Sequence, residues 1–197
     1  MAEKNKKRVR FGLKNAHYAK WDESTQKYLA PKPIPGSVSM TLSVEGDSST
    51  KYADDIPYFT TYSNGGYSGT LEVVDIPDEM LTDLWGYVKD ANGMYVEVAD
   101  ATPTPFALLY EIGSNTEPGR FVFYNCTASR PSGDRNTQAE SIDPDDESIE
   151  FTAIAKEFAY GDEKINTVKA YIPLTTETKT AYDKFFTEVQ VPTKVAA

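Results

Sequence analysis

The sequence predicts a mainly antiparallel β body with helices covering exposed faces or edges, and three observations lead there. Several segments alternate apolar and polar residues with the period of two that marks half-buried strands, most plainly Ser37 to Glu45. Two segments carry an apolar stripe at helical spacing. The aromatic residues are skewed toward Tyr (13) and Phe (9) against Trp (2), and such rings suit sheet faces and wet interfaces alike.

In chain order, Arg8 to Lys14 sets Val9, Phe11 and Leu13 against Arg8, Arg10, Gly12 and Lys14, and is expected to be the first strand. Residues 15–35 lose that period. Pro31, Pro33 and Pro35 exclude a helix, so residues 1–35 read as a basic arm containing the first strand. Residues 36–197 follow as a single domain. Within Ser37 to Glu45, Val38, Met40, Leu42 and Val44 point one way, and Ser37, Ser39, Thr41, Ser43 and Glu45 the other. Its expected partner is Tyr67 to Asp75, where Tyr67, Leu71 and Val73 oppose Ser68, Thr70 and Glu72. Residues 47–66 join the two. Structureless connections of that length are uncommon, and Tyr52, Tyr58, Phe59 and Tyr62 make this one too aromatic for a disordered linker. It is expected to fold onto something.

A helix is expected from Pro77 to Lys89. Pro77 fits the first helical position, and Asp78 and Glu79 suit the positive end. Met80, Leu81, Leu84, Trp85 and Val88 form its stripe, and Asn92-Gly93 ends it. Further strands are expected at Met94 to Val98, Phe106 to Ile112, Arg120 to Ala128, Ser148 to Lys156 and Asn166 to Ile172. A short C-terminal helix, Thr178 to Val189, sets Ala181, Tyr182, Phe185, Phe186 and Val189 on one side.

The bulk properties narrow the function. A chain of 197 residues suits one domain. The single cysteine, Cys126, allows no disulfide within the chain and reads as a small buried apolar group. No apolar run reaches signal-peptide or membrane-span length, so a reducing cytoplasm and no membrane insertion are expected. Formal net charge is −10, unevenly spread. Residues 1–35 hold nine Lys/Arg against three Asp/Glu, while the other 162 carry 11 basic and 27 acidic groups. A basic arm on an acidic body fits nucleic acid or the body of another copy, and the second needs no outside partner.

Catalytic chemistry finds little footing. His17 is the only histidine and stands in no motif, so a structural role is expected. Asp143, Asp145, Asp146 and Glu147 lack the calcium-loop spacing and read as a solvated acidic loop. Gly65-Gly66 and Ser132-Gly133 match no phosphate-binding pattern. Carboxylate pairs of the glycosidase kind are set by the fold, and nothing in the sequence selects one. No enzyme activity, cofactor or metal is expected.

Six segments carry a resemblance. Val9-Arg10-Phe11-Gly12-Leu13-Lys14-Asn15-Ala16-His17-Tyr18-Ala19 resembles the opening of the major tail proteins of long-tailed phages of Gram-positive hosts. In order follow Ile34-Pro35-Gly36-Ser37-Val38, Tyr52-Ala53-Asp54-Asp55-Ile56-Pro57-Tyr58 and Asn64-Gly65-Gly66-Tyr67-Ser68-Gly69. Phe106-Ala107-Leu108-Leu109-Tyr110 and Tyr124-Asn125-Cys126-Thr127-Ala128-Ser129-Arg130-Pro131 complete the set, and the resemblance as a whole runs from about residue 8 to 172. The resemblance implies a β-sandwich or half-open barrel with one flanking amphipathic helix. It implies hexameric rings stacked into a tail tube that conducts the genome. The partners would be other copies, a tape-measure protein, and tail-tip and tail-terminator proteins, with transient passage of double-stranded DNA. The location would be the virion tail, after assembly in the host cytoplasm. The rival reading is a β-sandwich binding module of a tail tip, for carbohydrate or a receptor.

Strand alternation then suggests a tube lining. A conduit for DNA should offer hydroxyls and carboxylates and few cations, since each cation touching a phosphate adds affinity. The faces Ser37, Ser39, Thr41, Ser43, Glu45 and Ser68, Thr70, Glu72 carry no basic group, and Glu150 and Thr152 fit beside them, while Lys156 does not. Contacts between subunits are expected from Lys6, Lys7, Arg8 and Arg10 of the arm, and from Tyr52, Tyr58, Phe59 and Tyr62, the latter chiefly between stacked rings.

Overall fold

The computed structural model describes residues 7–133, 137 and 145–194, and the molecule is mainly β with antiparallel pairing, arranged as a β-sandwich. Lys6 and Asp143 lie outside the described residues.

The first strand is longer than its periodicity. β1 runs Arg10–Asp22, so residues 15–22 belong to the sheet and not to an arm. Two irregularities explain why the pattern breaks. The register against Phe106–Ser114 slips between Phe11 and Leu13 and again between Lys14 and His17. Gly12 and Asn15 have φ of 74° and 54° at those slips, the left-handed region that Gly and Asn tolerate best. Each bulge adds a residue and flips the faces, which erases a period-two signal. Two-residue strands β2 (Lys27–Tyr28) and β3 (Lys32–Pro33) then pair with β1.

β4 (Ser37–Glu45) pairs antiparallel with β7 (Gly66–Val73), as expected. Between them β5 (Ser48–Ala53) and β6 (Ile56–Tyr62) form a hairpin that is a two-stranded sheet of its own. Asp54 and Asp55, both at positive φ, turn its tip.

Helix α1 covers Asp78–Trp85 and is one turn shorter than its apolar pattern. Gly86 adopts the left-handed C-cap conformation (φ 69°) and closes the helix on the Leu81 carbonyl, ahead of the Asn92-Gly93 stop. Val88 is therefore not on the helical stripe but exposed in β8 (Val88–Lys89), which pairs with β9 (Tyr95–Val96) around an Asp90-centred turn.

The remaining strands are β10 (Phe106–Ser114), β11 (Gly119–Ala128), β12 (Ser132–Gly133), β13 (Glu147–Ile154), β14 (Lys156–Tyr160), β15 (Glu163–Thr167) and β16 (Lys169–Pro173). The stretch Ser148 to Lys156 thus ends one strand and begins another, and Asn166 to Ile172 is divided at Val168. The main sheet runs β2-β1-β10-β11-β13-β7-β4, with β16 also on β11. β11 changes partner along its length: Gly119–Phe123 pairs with β16, and Asn125–Ala128 with β13. Helix α2 spans Lys179–Lys184.

Two cores result. Inside the curved sheet Tyr18, Leu71, Phe106, Phe123, Ile149 and Phe151 meet Met80, Leu84 and Trp85 of α1. On the other face Ala19, Leu109, Val122 and Tyr124 meet Phe185 and Phe186 after α2. Cys126 is fully buried in the first core, where burial pushes its thiol far above the usual range and makes it unreactive. His17 stacks on Phe186 at 4.4 Å, and burial lowers its pKa; it fastens the C-terminal segment to β1.

Candidate assembly surfaces

Three features stand out: a polar sheet face, an aromatic hairpin and a groove. The face is built by register. Thr41 lies beside Thr70, and Thr70 beside Glu150. One row along, Ser43, Ser68, Thr152 and Thr127 follow across β4, β7, β13 and β11. The alternate residues Leu71, Ile149, Phe151 and Ala153 are buried, so the hydroxyls and carboxylates must share the outer face. Thr41, Ser43, Ser68, Thr70, Glu150 and Thr152 line a shallow depression of about 340 Å³, together with Thr127 and Ser129. Ser39 donates to Glu72 at 2.6 Å, and the Ser68 hydroxyl donates to Glu45. Ser37 begins β4 and its hydroxyl bonds back to Ile34, away from this row. No lysine or arginine lines the depression. Thr127 and Ser129 were missed from sequence because the apolar run of β11 hides a change of face at its end.

The hairpin presents the opposite chemistry. Tyr52, Ile56, Tyr58, Phe59 and Tyr62 are 65%, 59%, 75%, 60% and 80% exposed. Thr50 and Thr60 bond across its strands, and Ser63 closes its base on Asp47. The expectation that this segment folds onto something is met only by its own two strands. A lone two-stranded hairpin is marginally stable in water at best.

The basic residues are placed differently from one another. Arg8 bonds the Tyr171 hydroxyl and the Glu117 carbonyl, and Arg10 lies 4.6 Å over the Tyr171 ring and 5.1 Å over Phe121. Both guanidiniums are thus already engaged within the chain, contacts that compete with any reach to a neighbour. Lys7 is exposed, and its carbonyl accepts from Asn115.

A groove of about 820 Å³ lies at the other edge of the sheet, between the β1–β2 turn, β14 and residues 187–191. Lys156 is drawn into it, its Nζ 3.1 Å from the Trp21 ring centroid. Desolvation lowers the Lys156 pKa, offset in part by Glu23. Lys156 does not fit the polar lining in the sequence, and no sequence signal marks the groove, because its walls come from three distant segments.

Among the described residues no group of three or more His, Cys, Asp or Glu could hold a metal ion, and no helix is long and apolar enough to cross a membrane. No protein-family model matches the chain, and no curated protein matches it in sequence. Among solved structures it is similar to a chain of the cryo-EM structure of the anti-feeding prophage baseplate, 6-fold symmetrised. That match has 9% identity and a TM-score of 0.46, and covers 83% of this chain and 94% of the other.

Proposed function

We propose that this chain is a non-enzymatic structural subunit of a phage tail tube, which assembles with its own copies into stacked hexameric rings and forms a conduit for DNA. One observation carries the reading. The β5–β6 hairpin exposes five large apolar side chains, which no other element among the described residues covers. Apolar surface gathered on a projecting element marks a site of association. The outer edge of β4 supports this, since its backbone pairs with β7 on one side only. The six sequence segments resembling tail-tube proteins supply the kind of assembly, and the cation-free hydroxyl and carboxylate face supplies a lining that does not grip DNA.

The purified protein is to be followed by sedimentation and negative-stain imaging across concentration and salt, with and without a tail-tip nucleator. Rings or tubes are expected. A monomer under every condition defeats the proposal, and compact particles of small fixed size favour a tail-tip binding module instead.

A further inference from the structure

The sequence holds two Asn-Gly pairs, Asn64-Gly65 and Asn92-Gly93, and both asparagines are exposed. An asparagine before glycine is open to attack by the next backbone nitrogen on its side-chain amide, because glycine has no Cβ to crowd the approach and adopts the dihedrals that ring closure needs. We infer that Asn92, and not Asn64, is a site of covalent modification in this chain, where water replaces the side-chain amide through a succinimide closed by the Gly93 nitrogen. The inference holds for the subunit whatever it assembles into.

The chemistry needs only water. The Gly93 amide gives its proton to hydroxide, and its nitrogen bonds to Asn92 Cγ. The Cγ–Nδ2 bond breaks, and the leaving nitrogen takes a proton from solvent and departs as ammonia. Water then opens the five-membered ring at either carbonyl, leaving aspartate or isoaspartate at position 92. One water is consumed and one ammonia released, with no change of oxidation state.

The two pairs differ in how firmly the attacking nitrogen is held. Gly93 N is held by one bond, 3.1 Å to the Asp90 carbonyl inside its own turn. An added Cβ at Gly93 would meet nothing within 4 Å, so the turn stands clear of the body. β8 and β9 are two residues each and form a sheet of their own, so little has to open before the ring can close. Asn64-Gly65 is clamped instead. Gly65 donates to the Glu45 carbonyl at 2.7 Å, and an added Cβ there would lie 3.0 Å from that oxygen. The next residue, Gly66, is buried where an added Cβ would run into the Ala153 carbonyl oxygen, and its amide holds Asn64 Oδ1 at 3.1 Å. Ring closure at Asn64 therefore requires lifting the start of β7 away from β4 and β13. Chemistry confined to an opened state slows in proportion to the cost of opening.

The product alters the turn. Asn92 Nδ2 donates to Asp90 Oδ2 at 3.2 Å, and the other oxygen of that carboxylate accepts from the Asn92 and Met94 amides, each at 2.8 Å. The Met94 amide above all holds the Asp90 carboxyl below its usual range, so it stays ionised. Deamidation removes the donor and sets a second anion against the first, which loosens the β8–β9 turn.

The purified chain is held folded in warm, mildly alkaline buffer, then digested and read by peptide mass spectrometry, with enzymatic methylation of isoaspartate as a second readout. The peptide carrying position 92 is expected to convert at least about tenfold faster than the one carrying position 64. In denaturant the two should convert at similar rates, since each asparagine precedes a glycine. A folded chain in which position 64 keeps pace with position 92, or in which neither converts while the denatured chain does, overturns the inference. A tenfold ratio that persists in denaturant assigns the difference to sequence and overturns the structural argument. The consequence is read on Asn92→Asp, whose hydrogen exchange should rise over residues 88–96 and stay unchanged over residues 66–73; unchanged exchange over 88–96 overturns the loosening. None of these measurements requires association, so a chain that stays monomeric defeats the proposed function and leaves this inference standing.

Discussion

Arg120 Nε stands 2.9 Å from Glu111 Oε2, where the two residues face each other across the β10–β11 ladder, and Glu111 is only 5% exposed. Lys14 reaches the same carboxylate at 3.1 Å, and Asn15 donates to it from the bulge in β1. Arg120 also donates to the Tyr182 carbonyl and lies over the rings of Tyr182 and Phe186. One buried acid thus orients the cation that fastens α2 and the chain after it to the sheet.

Burial pushes the Glu111 pKa up, but hydrogen bonds from Arg120, Lys14 and Asn15 outweigh it, and the net shift is downward. A lowered folded value means stabilisation that is complete above the unfolded value of about 4.3 and lost as pH falls through the folded one. Hydrogen exchange of residues 179–189 should therefore be protected at pH 6 and accelerate first on acidification below about pH 4. Glu111→Gln should remove this pH dependence and cost about 3 kcal/mol at neutral pH, by leaving Arg120 without its countercharge. A melting temperature unchanged by Glu111→Gln contradicts the assignment.

The packing under the polar face makes a sharper stability forecast. A Cβ on Gly69 would lie 2.7 Å from the Thr41 carbonyl oxygen and 2.9 Å from the Phe151 ring. The β4–β7 ladder closes because that position has no side chain. Gly69→Ala should destabilise the chain by about 1–3 kcal/mol in denaturant titration. Gly93→Ala meets no atom within 4 Å, and its only cost should be its positive φ.

For the hairpin the forecast separates folding from assembly. Tyr58→Ala with Phe59→Ala removes exposed rings, so the unfolding free energy should move by no more than about 0.5 kcal/mol. Association measured by sedimentation should fall by at least tenfold. Equal losses of stability and association would mean that the rings support the subunit itself.

For the polar face, replacing Glu45 and Glu72 with Lys should leave the fold intact, because both side chains lie at the surface of the ladder. The variant should gain binding to double-stranded DNA that weakens steeply with salt, while the unaltered chain shows little at any ionic strength. Electrophoretic mobility over a salt series reads this directly. Binding by the unaltered chain comparable to the variant's would remove the argument for a lining.

The legible parts of the fold were those in which one period holds over most of a strand. β4 and β7 were paired correctly because their alternation survives a register shift between Ser37 and Ser39 and a glycine at 69, although Val38, Leu42 and Val44 of the apolar side of β4 are exposed and only Met40 packs on the core. β13 joined them on the strength of Glu150 and Thr152. β1 was cut short because Gly12 and Asn15 each add a residue and invert the pattern. α1 was overextended because Val88 continues the helical spacing by chance, past a glycine that had already ended the helix. The polar face was foreseeable from alternation; the groove was not, since no local pattern joins Trp21, Phe158 and Val191.

The pairing of β1 with β10 sets an order of events during synthesis. Arg10 meets Ser114 and Lys20 meets Phe106, so the first strand, which has only the two-residue strands β2 and β3 beside it at first, lacks its long partner until about a hundred more residues have left the ribosome. β16 and α2, which complete the second core, come later still. Contacts so distant in sequence form slowly, because loop closure must precede any gain from them. The β5–β6 hairpin, whose strands are neighbours in the chain, needs no such delay. Its aromatic strands are therefore on display before the body that carries them is finished, and nascent chains sharing one messenger would meet first through their least protected element.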